Sequence, residues 1–108
     1  MPKQEDILGR SQQLRAMTRR NRMRLIDSEL TVIFTLCCVA ESDLLMGKLS
    51  HADEMMDKIR HATTGARQFI CDARHLLPES TEEFNQRLRQ LDKRVERVRA
   101  NLSSERAA

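Results

Sequence analysis

Three glycines and two prolines are all the punctuation in this 108-residue chain. Sheets need turn residues at each reversal, so an all-β or doubly wound fold is not expected. Arg, Leu, Ala, Glu and Met are abundant, aromatic residues make up 3%, and Trp and Tyr are absent. That is the composition of a helical protein. The length predicts one domain whose core closes without disulfide or metal staples.

Hydrophobic spacing divides the chain into four segments. Residues 1–24 are polar and Arg-rich; Ile7, Leu8, Leu14, Met17 and Met23 fit a helical stripe only loosely. The expectation there is a disordered start that turns helical near Ser11 or beyond, with an extra N-terminal helix as its most ordered form. From Leu25 to Met46, the residues Ile26, Leu30, Ile33, Cys37, Ala40 and Leu44 alternate steps of four and three. Phe34, Leu36, Val39 and Leu45 widen this apolar face, while Asp27, Thr31, Thr35 and Ser42 form a narrow polar strip. A helix apolar around most of its girth is expected to be central and covered twice. Gly47 can take the left-handed cap that ends it.

The third segment, Ser50 to Leu77, has Ser50 as a candidate N-cap and Pro78 as its stop. Its apolar residues, from Ala52 and Met55 through Ile59, Ala66 and Ile70 to Leu77, recur at helical spacing. The fourth opens on Ser80 with Glu83 three residues on, the pattern of a capping box. Phe84, Leu88, Leu91, Val95, Val98 and Leu102 then make a heptad seam. Residues 103–108 read as a frayed tail. Short connections require adjacent helices to turn back on each other. The predicted architecture is an all-α, antiparallel up-down bundle of three helices over residues 25–102.

One helical hairpin within this bundle resembles a tetratricopeptide repeat. Gly47 stands at that family's turn, Ala52 at its small position five residues on, then Met56 and Ile59. Leu36, Val39 and Ala40 match the large, large, small positions of its first helix. The resemblance covers roughly 34 residues, one repeat period. The three-helix plan also resembles the microtubule-interacting-and-transport type of module. Both resemblances imply a helical protein–protein interaction module without catalytic activity. No second repeat is present, so the peptide groove of multi-repeat members is not expected.

Charge is unevenly spread. Residues 1–26 carry net +5, residues 27–79 net −4 and residues 80–108 net +2. Arg10, Arg15, Arg19, Arg20, Arg22 and Arg24 fall in 15 residues with no acid among them. Guanidinium groups pair with phosphates, so Arg15, Arg19, Arg20, Arg22 and Arg24 are candidates for binding an anion or an acidic partner. A basic arm on nucleic acid is the alternative function; the absence of nearby aromatics for base stacking argues against it. The bland reading is a solvated leader that pairs with the acidic middle of its own chain. For the heptad seam, a homodimer through Phe84, Leu88, Leu91, Val95, Val98 and Leu102 stands beside packing within the chain.

Other chemistry finds little support. Cys37, Cys38 and Cys71 are an odd set with two adjacent, unlike a secreted disulfide framework. They read as reduced, mostly buried thiols, and no fourth ligand completes a metal site with His75. His51, His61 and His75 lack a nucleophile partner and read as surface residues, while Glu41 and Asp43 read as a solvated helix end. No phosphate loop or metalloprotease motif occurs, so no cofactor is expected. The longest nearly apolar stretch, Leu30 to Ala40, has 11 residues, short of the roughly 20 that span a bilayer. With no signal peptide visible, the expectation is a soluble cytoplasmic protein.

Overall fold

The computed structural model describes residues 4–72 and 76–107, with side chains from Met17 onward. They form three helices, α1 (Gln4–Leu45), α2 (Leu49–Asp72) and α3 (Pro78–Ala107), and no strand. The fold is the expected all-α bundle of three helices.

Cross-helix ion pairs give the directions. Arg67 pairs with Asp92 and Arg106 with Asp53, so α2 and α3 run antiparallel. Arg87 pairs with Asp27 and Arg94 with Glu41, so α1 and α3 run parallel. Only Met46, Gly47 and Lys48 connect α1 to α2, which turns α2 back along α1.

The core follows the predicted spacings. Ile26, Leu30, Ile33, Cys37 and Ala40 enter it from α1, and Ala52, Met55, Ile59, Ala66 and Ile70 from α2. From α3 come Phe84, Leu88, Val95, Val98 and Leu102, while Leu91 packs half-buried against the core. The seam is therefore consumed inside the chain. A homodimer through Phe84, Leu88, Leu91, Val95, Val98 and Leu102 is corrected on that ground, because the same surface cannot serve twice.

Four further expectations change. All three helix pairs pack, so α1 is one edge of a triangle and not a central helix. Its surplus apolar residues Leu25, Val32 and Phe34 are left about half exposed, at 52%, 46% and 49%. The Arg-rich leader forms no helix of its own, since α1 begins at Gln4 and runs unbroken into the bundle. Its 42 residues correspond to about 63 Å at the rise of an α-helix. The tail is helical to Ala107, where Arg106 ties the last turn to Asp53 of α2.

Both predicted serine caps are displaced. The first backbone bond of α2 runs from the Ala52 N–H to the Lys48 carbonyl (3.0 Å), and that of α3 from Thr81 to Leu77 (3.0 Å). Ser50 and Ser80 thus lie inside their helices, as the second residue of α2 and the third of α3. Pro78 does not stop α2, which runs Leu49–Asp72 and not to Leu77; it is the first residue of α3, where its missing N–H and fixed φ cost nothing.

Candidate functional site

The α1–α2 turn sets the geometry of the surface beside it. Gly47 has φ 73°, the left-handed conformation its sequence position predicts. The Lys48 N–H donates to the Asp43 carbonyl at 2.8 Å and the Gly47 N–H to that of Leu44 at 3.2 Å. Those two bonds make a Schellman cap. Asp43 itself is buried, and its Oδ2 lies 2.6 Å from His51 Nδ1 at the start of α2. The pair staples the hairpin shut. Sequence reasoning missed it, because Asp43 and His51 meet only once the reversal brings them together. Ala40 and Ala52 have no exposed surface, and their small side chains let the two helices approach.

Away from α3, α1 and α2 leave an apolar groove. Val32 and Leu36 line it from α1 and Ala62 from α2, with Glu54, Asp57, Lys58 and His61 along its edge. Toward the other end of the bundle, Leu25 and Phe69 continue it beside Thr18, Asn21 and Arg22. Positions 25, 32 and 36 share one side of α1, and 62, 65 and 69 share one side of α2. Gly65 lies in this second set, and a Cβ built on it would meet nothing within 4 Å. The groove is thus open and small-floored, with bulky apolar residues on its walls.

Ion pairs cross the other two grooves. Between α1 and α3, Arg94 forms a two-pronged ion pair with Glu41 (2.6 and 2.9 Å). Its guanidinium stacks over Phe34 at 4.7 Å and reaches Cys38 Sγ at 3.5 Å. The hydrogen bonds from Arg94 hold the Glu41 carboxyl below the usual carboxylate range. The same bonds push Arg94 up. Glu41 is therefore a strap between helices and not a solvated end. Between α2 and α3, Arg67–Asp92 and Arg106–Asp53 cross the interface, beside Arg60–Asp57 and Glu96–Arg99 within single helices. Beneath them the Thr63 hydroxyl is buried without a hydrogen-bond partner among the described residues.

The candidate arginines are not gathered. Arg20 and Arg24 are exposed, whereas Arg19 and Arg22 are half-buried. By helical spacing the two pairs fall on different sides of α1. Arg15 lies outside the residues whose side chains are described. Arg20, Arg22 and Arg24 make no ion pair among the described residues. Arg20, Arg22 and Arg24 therefore do not converge on one anion pocket among the described residues.

Among the described residues the cysteines and histidines form no cluster either. Cys37 is buried, Cys38 half-buried and Cys71 exposed. Burial pushes the Cys37 thiol up to about 11. The His61 ring nitrogen Nδ1 lies 2.8 Å from the Asp57 carbonyl oxygen one turn back. His75 lies outside the described residues. Among the described residues no group of three His, Cys, Asp or Glu is placed to hold a metal ion. None of the described helices is long and apolar enough to cross a membrane.

Among the described residues, fold and groove define a small helical bundle with an open apolar groove between α1 and α2. No family model, curated protein or solved structure matches the chain.

Proposed function

We propose that the chain is a non-catalytic, tetratricopeptide-like helical module that binds a protein partner in the cytoplasm, using the α1/α2 groove. The observation that carries this reading is the exposed pair of walls, Leu25 and Val32 on α1 with Phe69 on α2. These apolar residues line one face with open space between them. Contiguous apolar surface rimmed by polar groups is the usual mark of an interaction site. The tight Gly47 turn and the Ala40 and Ala52 approach support the likeness to the repeat family.

Site-specific photo-crosslinking in cells tests it. A photoreactive residue at Val32 should trap protein, and one at Arg97, exposed on α3, should not. Equal yields from both positions, or none from Val32, would refute the module reading.

The basic arm on nucleic acid is the second reading, favoured by exposed Arg20 and Arg24 without ion pairs among the described residues. Phosphate binding would make affinity for duplex DNA or RNA fall steeply with salt. Absence of binding at low salt removes it.

A further inference from the structure

The α2/α3 face carries a charge pattern that its own ion pairs leave incomplete. On α2 the positions 53, 60 and 67 lie seven residues apart, and on α3 so do 92, 99 and 106. Seven residues are close to two helical turns, so each set runs along one side of its helix. Arg106 pairs with Asp53 at one end of the face and Arg67 with Asp92 at the other. Antiparallel helices in that register bring position 60 opposite position 99. The outer rungs thus join opposite charges, while the middle rung sets Arg60 against Arg99, about 10 Å from each neutral neighbour. Both arginines line the same groove. Like charges set across an interface disfavour it, and this rung lacks the acid that would complete the ladder.

We infer that the middle of the α2/α3 groove binds the phosphate group of a small phosphate monoester, with Arg60, Arg99 and the Thr63 hydroxyl as its donors. The site is separate from the α1/α2 groove and does not rest on the interaction-module reading.

Three observations carry it. The first is the state of the two arginines. Arg60 donates to Asp57 through one terminal nitrogen, and Arg99 approaches Glu96 through one, at 2.9 Å. A guanidinium has five N–H donors, so each arginine keeps most of its fork for a ligand. Asp57 and Glu96 stand one turn back on the same helices, with side chains 64% and 66% exposed. Surface pairs of that kind contribute little. A dianion that bridges both arginines takes their place, and the released carboxylates turn to water. The second observation is an orphan. Thr63 lies one turn beyond Arg60 and lines the groove, and its buried hydroxyl has no hydrogen-bond partner among the described residues. Its neighbour Thr64 donates to the Arg60 carbonyl at 2.9 Å, the usual recourse of a hydroxyl inside a helix. A buried hydroxyl left unpaired is rare and calls for a partner. The third is room. The groove holds about 580 Å³, the size of a small-molecule site. Phosphate suits these donors better than carboxylate does. Its three terminal oxygens meet two guanidiniums and one hydroxyl, and its charge of about −1.5 to −2 at pH 7 matches two arginines. Met56, Ile59, Val95 and Leu102 supply apolar walls for the organic body of the ester.

Calorimetric titration of the full chain with phenyl phosphate, at constant ionic strength, tests the inference. Binding should saturate at a single molecule per chain. Inorganic phosphate should bind more weakly, because it leaves the apolar walls unfilled. Arg60→Gln and Arg99→Gln should each lower the affinity by about tenfold, and Thr63→Val by about threefold, with helicity by circular dichroism unchanged. Asp57→Asn with Glu96→Gln should tighten binding, since no carboxylate then competes for the guanidiniums. The absence of saturable binding at millimolar ligand overturns the inference, and so does an affinity indifferent to Arg60→Gln and Arg99→Gln. An equal loss from Arg20→Gln with Arg24→Gln would place the anion on the α1 arginines and overturn it as well. Inorganic phosphate binding as tightly as phenyl phosphate would overturn the assignment to an ester. Crosslinking through Val32 reports on the other groove, so either result leaves the module reading to its own test.

Discussion

Cys37 has no exposed surface and sits on the core side of α1 between Ile33 and Ala40. Its apolar surroundings penalise the thiolate and push the thiol from 9.0 up to about 11, against a smaller opposing pull from Arg94. A folded value above the unfolded one means that the protonated thiol favours the folded state. That contribution is complete below about pH 9 and is lost as pH rises toward about 11, because the unfolded chain ionises first. Urea unfolding across this window should show wild-type protein losing on the order of 1–3 kcal/mol more than Cys37→Ala. Identical pH dependence in the two proteins would mean that the thiol is not held neutral by burial. Cys37 was legible in the sequence as a core residue, since it continues the steps of Ile26, Leu30 and Ile33. Asp43 and Glu41 were not. Each gains its partner, His51 or Arg94, from another helix, and period alone records only which face a residue occupies.

The helices and their faces were legible because each carries a long apolar period, and every residue of the fourth segment's seam is buried or half-buried as that period requires. Helix ends were harder to read. Gly47 was predicted correctly because only a residue tolerant of positive φ closes that turn well. Ser50 and Ser80 misled because a good capping side chain is worth only about 1 kcal/mol. Here α2 already begins at Leu49, and in α3 the preference of Pro78 for the first helical position outweighs it. The hairpin itself can be tested at Ala52. Extra methylenes there must push α1 and α2 apart, at a cost of about 1–3 kcal/mol. Thermal unfolding of Ala52→Leu should show that loss, with the helix content of the folded state retained. Full stability would mean that the two helices do not approach through their alanines.

At the scale of the whole molecule, the long first helix dominates. The chain measures 74 × 22 × 16 Å with a radius of gyration of 19.2 Å. About 13 Å is expected for a compact domain of 100 residues. This shape was not legible beforehand: a loosely striped, Arg-rich leader reads as a solvated tail when nothing shows it continuous with the helix behind it. The length separates the ways in which two such molecules could associate. Copies joined end to end would become much longer than one chain. Copies paired along antiparallel α1 helices overlap almost completely, so mass doubles and the cross-section thickens, while the longest dimension stays near 74 Å. Small-angle scattering on the associated species therefore has a sharp expected outcome. A maximum dimension close to that of one chain, with twice its forward scattering, supports the overlapped arrangement. A dimension approaching twice the 74 Å of one chain would place the contact at the tips and leave the α1/α2 groove empty.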